Sequence, residues 1–138
     1  MRTAVFGCTV ALGIGAFSCG SGSSDKVIPP KLSSIQKEIF DETCNAPSCH
    51  GSGMKGGLSL TTPNAYRQLI AVPGTTDKKN SPPLMRVKPG SPDSSLLFVV
   101  ITSPDTNQGE IMPKGNDRLS PNKVEAIRRW ILAGAPDN

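Results

Sequence analysis

The string Cys44-Asn45-Ala46-Pro47-Ser48-Cys49-His50 brings two thiols and an imidazole into seven consecutive residues. These residue types can bond a haem covalently through its vinyl groups and ligate its iron from one face. The usual attachment string is C-x-x-C-H. Here the cysteines are separated by four residues rather than two, so the additional residues must bulge for both sulfur atoms to meet vinyl groups at a fixed separation. The same side chains admit other chemistry. In an oxidising compartment Cys44 and Cys49 could pair as a disulfide. A bridge closing so small a loop removes little unfolded-state entropy and leaves His50 without a role. A zinc site on Cys44, Cys49 and His50 lacks a good fourth ligand.

His50 is the only histidine in the chain, so a second imidazole for an iron cannot come from this protein. A methionine is the plausible sixth ligand, and Met54, Met85 and Met112 are the candidates once the N-terminal segment is removed. Met54 lies four residues past His50, too close along the chain to reach the opposite face of a macrocycle. Met85 follows Pro82-Pro83-Leu84 and is sterically possible. Met112 sits in Gly109-Glu110-Ile111-Met112-Pro113, where a proline stiffens the chain beside it. Met112 is preferred on these grounds, with Met85 and an open sixth site as the alternatives. A methionine can also serve only as packing.

The rest of the chain must deliver and hold these residues. Residues 1–18 read as an export signal: Met1-Arg2 is a short positive start, and Thr3 to Phe17 is uncharged and largely apolar. That run is too short to span a bilayer as a mature helix. Ala16-Phe17-Ser18-Cys19-Gly20 is similar to the processing box of bacterial lipoproteins, which makes Cys19 the expected lipidation site. An ordinary cleaved signal is the alternative. Residues 19–32, rich in Gly, Ser and Pro, read as a linker that would hold the domain about 20 Å off a membrane.

From residue 33 onward the pattern is mostly α, three to five short helices joined by long loops. A first helix is expected from Ser33 or Ser34 to near Thr43, with Ser33 and Gln36 as a capping box and Ile35, Ile39 and Phe40 as its apolar stripe. It would feed the chain directly into Cys44. Thr62-Pro63, Ser91-Pro92 and Ser120-Pro121 each read as N-cap followed by N1. The third start is the clearest, with Leu119 and Val124 as a hydrophobic staple, a Val124, Ile127, Ile131 stripe and Gly134 as the stop. Ser81-Pro82 and Ser103-Pro104 read as turns. Phe98-Val99-Val100-Ile101 has strand-like composition but continues a helical start. The glycines between Gly51 and Gly57 suit either close approach of backbone to a flat ligand or a mobile loop.

Charge and aromatic content exclude a nucleic-acid surface. The formal +4 falls to +3 when Arg2 leaves with the signal, and the basic residues are scattered. Past the linker only Phe40, Tyr66, Phe98 and Trp130 are aromatic, too few to stack on bases. They also make a thin core for long loops, a shortage that a large apolar prosthetic group would meet.

Taken together, the domain resembles a mono-haem class I cytochrome c. The resemblance covers roughly Ser33 to Asp137 in the order helix, attachment motif, methionine-proline loop, terminal helix. The segments Gly57-Leu58-Ser59-Leu60, Arg86-Val87-Lys88-Pro89-Gly90-Ser91-Pro92, Met112-Pro113 and Trp130-Ile131-Leu132-Ala133-Gly134-Ala135 are similar to cytochrome c-like domains of the planctomycete and myxobacterial type, some of which also widen the cysteine gap. The resemblance implies a small cytochrome c-like fold over residues 33–138, wrapped round one covalent haem c. It also implies Cys44 and Cys49 as thioether positions and His50 and Met112 as axial ligands of the haem iron. Histidine with methionine raises the iron potential and fills both axial sites. The expected function is therefore electron transfer on the periplasmic side of a bacterial membrane, with redox proteins as donors and acceptors and lipid at Cys19 as the tether. No nucleophile-base pair or phosphate loop points to an enzyme. Two other functions remain open: a redox-inert lipoprotein with a Cys44 to Cys49 disulfide, and a haem-based ligand sensor with an open sixth site.

Overall fold

The computed structural model describes residues 26–75, 83–103, 110–115 and 117–138. The expected export signal, Cys19, most of the expected linker, Lys78-Lys79, Ser81-Pro82 and Pro104 lie outside the described residues.

The described chain is mostly helical. Helix α1, Leu32–Ile35, runs without a break into a π-helical stretch, Gln36–Cys44. Short helices α2, Ala65–Leu69, and α3, Leu96–Thr102, follow, and α4, Pro121–Leu132, is the longest. Helix α4 packs against both α1 and α3. Ile35, Ile39 and Phe40 from the first element meet Ile127, Trp130 and Ile131 from α4 in one core, and all six are fully buried. Among the described residues the only extended pairing is three isolated bridges: Ile70 with Val87, Pro73 with Met85, and Met85 with Ser95.

The expected start of α4 is observed. Ser120 stands at its N-cap with Pro121 at N1. Leu119 is buried and Val124 packs on the core, as a staple requires. Its end is a Schellman closure: Ala135 N–H donates to Trp130 O at 2.9 Å and Gly134 N–H to Ile131 O at 3.0 Å, with Gly134 at φ +93°.

The other starts differ from the local reading. Ser33 does not form a capping box; the N-cap position is Lys31, without a side-chain bond. Gln36 is buried and its amide donates instead to Leu60 O at 2.7 Å and Asp41 Oδ1 at 2.6 Å. A buried carbonyl that needs a donor outweighs a local cap. The free amides of α1 are met from the far end of the chain: Leu32 N–H donates to Asn138 Oδ1 at 2.9 Å and Ser33 N–H to Asn138 O at 2.8 Å. Asn138→Ala should therefore cost about 1 kcal/mol, the worth of an N-cap side chain, measured by urea denaturation. An unchanged midpoint would mean that water caps α1 equally well.

Thr62-Pro63 is likewise not N-cap and N1. It forms a turn before α2, whose N-cap position is Asn64, because Thr61 O already accepts from Asn64 N–H at 2.7 Å and Ala65 N–H at 3.0 Å. Ser91-Pro92 does start a helical turn, but a 3-10 turn over Pro92–Ser94; α3 begins afresh after Ser95. Ser95 is fully buried, and its hydroxyl donates to Ser91 O at 2.8 Å and accepts from Lys88 N–H at 2.9 Å. Phe98 to Ile101 lies within α3 and is helical.

Candidate functional site

The π-helical stretch ends by placing Cys44 at its last position, where Asn45 N–H closes on Phe40 O at 2.9 Å. Segments of this kind are uncommon and gather at functional sites. From Cys44 the chain turns tightly. Cys49 N–H donates to Ala46 O at 2.8 Å, and His50 N–H returns to Cys44 O at 3.1 Å. The four residues between the cysteines thus fold into a closed bulge rather than a slack loop.

Gly51 and Gly53 are explained by this bulge. A Cβ on Gly51 would lie inside contact distance of the Asn45 carbonyl oxygen, and 2.9 Å from that of Ala46. A Cβ on Gly53 would strike the Pro47 carbonyl oxygen, which also accepts from Gly53 N–H at 2.7 Å. These glycines make room for the widened cysteine segment itself, a role that neither sequence reading gave them.

His50 is half-buried, and its Nδ1 lies 3.1 Å from Lys55 O. A carbonyl oxygen only accepts, so Nδ1 carries a proton, and in the neutral ring Nε2 keeps its lone pair. That is the tautomer a histidine ligand needs, fixed from the side away from a bound metal. Leu60 N–H donates to His50 O at 2.7 Å and Lys55 N–H to Cys49 O at 3.0 Å, so the ring's support is tied to the turn on both sides.

Cys44 and Cys49 are both free thiols and half-buried. Burial pushes the Cys44 thiol up to about 11, with Lys123 opposing and Cys49 adding slightly. Its folded value lies above its ordinary 9.0, so the stability it contributes is complete below pH 9 and falls as pH rises towards about 11. The haem-free chain should accordingly weaken in urea between these values. Once Cys44 is converted to a thioether that loss should vanish, which paired denaturation curves at pH 8 and 10.5 would show.

Met112 is half-buried against the same core as Cys44, and its N–H donates to Val100 O on α3 at 2.7 Å. Met85 is 40% exposed, and its carbonyl accepts from Leu96 N–H at the start of α3. Met54 is 47% exposed, on the His50 side of the turn, with φ +46°. The structure therefore brings Cys44, Cys49 and His50 together in one turn and sets Met112 on a separate loop beside α3.

Helix α3 has an unusual surface. Leu96 to Ile101 are all apolar, yet only Ile101 is buried and the other five are half-exposed. A helix that is apolar all round is ordinarily enclosed. Met112, Leu58 and Ile70 are likewise half-buried against the core, so partly exposed apolar surface is available for a flat, largely apolar group to cover. Two open clefts, of about 730 and 370 Å³, lie away from α3: one beside Gln36, Tyr66 and Arg67, the other lined by Gly51, Ser52, Met54 and Gln68 next to the cysteine-histidine turn.

Among the described residues no three His, Cys, Asp or Glu side chains converge as a metal cluster, and no helix is long and apolar enough to cross a membrane. Sequence reasoning missed the Lys55 carbonyl, Gln36 and Ser95, whose roles depend on partners brought close only by folding. Comparison of the chain with known protein families, curated proteins and solved structures finds no match.

Proposed function

We propose that residues 33–138 carry electrons on one covalently bound haem c, as the domain of an exported protein tethered to a membrane by lipid at Cys19. The observation that supports this reading is the placement of His50: its Nδ1 lies 3.1 Å from a backbone carbonyl, which leaves Nε2 of the neutral ring for an iron, one residue after a free thiol. In this reading Cys44 and Cys49 hold the vinyl groups, and His50 and Met112 take the two axial positions. A haem so held supplies a reversible one-electron couple, raised in potential by the methionine.

The chain's own residues orient and shield. The hydrogen-bonded turn fixes the two thiols relative to the imidazole, and Lys55 O holds the ring by its Nδ1–H. The apolar face of α3 excludes water. The Val100 carbonyl anchors the backbone of Met112 beside that face. Other redox proteins would serve as donor and acceptor, meeting the domain at an exposed haem edge.

Carbon monoxide separates this reading from a ligand sensor. The reduced protein, exported from a host competent in cytochrome maturation, should show no spectral change under carbon monoxide at pH 7. A shifted Soret band at low gas concentration would mean an open sixth position and would favour the sensor.

A further inference from the structure

Arg86 projects from a backbone pinned on both sides: its N–H donates to Val72 O at 2.7 Å, and its carbonyl accepts from Leu97 N–H at 3.0 Å. Neighbouring Val87 is fully buried. The guanidinium is half-buried and, among the described residues, makes no ion pair. It donates instead to three carbonyls: Gln68 O at the end of α2 at 3.0 Å, Gly56 O at 3.2 Å and Gly57 O at 3.1 Å.

Gly56 and Gly57 both have φ +63°, in the left-handed region where a side chain is strained. Their conformation turns two successive carbonyls towards one cation. The residue before them is Lys55, whose carbonyl holds His50 Nδ1. One planar fork therefore joins α2 to the short segment that supports the imidazole. A lysine ammonium carries its three N–H donors on one atom and lacks the fork that reaches Gln68 O from one nitrogen and the Gly56 and Gly57 carbonyls from the other.

We propose that Arg86 is a positioning residue for His50, acting through the Gly56-Gly57 turn and the Lys55 carbonyl to hold the ring as its Nδ1–H tautomer. The consequence for iron ligation rests on the haem reading; the contact with the histidine does not.

Because His50 is the only histidine, nitrogen-15 labelling of histidine in the full chain gives one ring to observe by NMR. In the haem-free chain both tautomers are open to the ring; in the reduced haem protein, where iron would occupy Nε2, the readout is the exchange of the Nδ1 proton alone. The wild type should show the Nδ1–H tautomer with slow exchange of that proton. Arg86→Met, which keeps the stem and removes the fork, should mix the tautomers in the haem-free chain and speed exchange of the Nδ1 proton in both forms about tenfold, on the order of what loss of one hydrogen bond is worth. Arg86→Lys should fall between the two.

Protection of the Leu60 amide, which bonds His50 O, reports that the turn is still folded. Wild-type tautomer and exchange in Arg86→Met, with Leu60 still protected, would overturn the proposal. Should Arg86→Met fail to fold, Arg86→Lys decides: intermediate exchange supports the proposal and wild-type exchange overturns it. Arg86 dependence in a chain that never acquires haem would sink the haem reading and leave the positioning role standing. A haem protein without that dependence would do the reverse.

Discussion

Gly51→Ala should lose about 3 kcal/mol of folding stability, the top of the usual range for overpacking, and should abolish haem incorporation. The added methyl meets the carbonyl oxygens of Asn45 and Ala46, which are backbone atoms and cannot swing aside as a side-chain end would. Relief requires opening the bulge, and with it the His50 to Cys44 and Cys49 to Ala46 hydrogen bonds. Gly134→Ala is the comparison: nothing lies within 4 Å of its Cβ, and only the left-handed φ of +93° is penalised, about 1 kcal/mol. Urea denaturation of the haem-free chains and haem absorbance of the exported ones measure both effects. Equal losses for the two variants would mean that the cysteine bulge is not the rigid element described here.

The second large effect is expected at Met112. Met112→Ala should lower the midpoint potential by on the order of 0.1 V or more, within the roughly 0.8 V that axial ligands span. It should also open the reduced protein to carbon monoxide. Met85→Leu and Met54→Leu should leave both properties unchanged. The discrimination rests on burial and anchorage. Met112 is packed on the core and its amide is bonded to Val100 O, whereas Met85 and Met54 are 40% and 47% exposed. A fall of that size on Met85→Leu, with Met112→Ala silent, would move the sixth ligand to Met85. Spectroelectrochemical titration at pH 7 distinguishes the outcomes.

The elements that could be read from sequence were those closed by neighbours in the chain. Helix α4 is written in Ser120-Pro121, the Val124, Ile127, Ile131 stripe and Gly134, and each acts within a few residues of its own position. The delivery of the first helix into Cys44 was legible for the same reason, from Ile35, Ile39 and Phe40 at helical spacing. The capping box at Ser33 failed because Gln36 and the α1 amides are claimed by Leu60 and Asn138, which are distant in sequence. Thr62-Pro63 failed because Thr61 O had already taken the first amides of the turn. No periodicity announces such contests.

The site divides along the same line. Two thiols and an imidazole at close spacing stand out in the sequence, and a lone histidine leaves no rival for the proximal role that the proposed function gives it. What holds them could not be read: the Lys55 carbonyl on His50, the glycines cut away for the Asn45 to Pro47 backbone, and Arg86 from thirty residues downstream. Glycine, arginine and a backbone carbonyl are each too common to signal a role until a fold shows what they touch. The run Phe98 to Ile101 is helical, as its place after the Ser91-Pro92 start implied despite its strand-like composition. What the sequence did not show is that five of its six apolar residues from Leu96 to Ile101 stay half-exposed.

Covalent haem on the cysteine segment is the central claim, and the tryptic peptide from Glu38 to Lys55 tests it, since that peptide holds Cys44, Cys49 and His50 with no internal cleavage site. It should be taken from protein exported by a host competent in cytochrome maturation, denatured before digestion, and weighed. The account predicts the peptide mass plus one haem, with Soret absorbance that survives denaturation. A peptide two hydrogens short of its reduced mass, with no Soret band in the parent protein, would contradict the account and establish the Cys44 to Cys49 disulfide in its place.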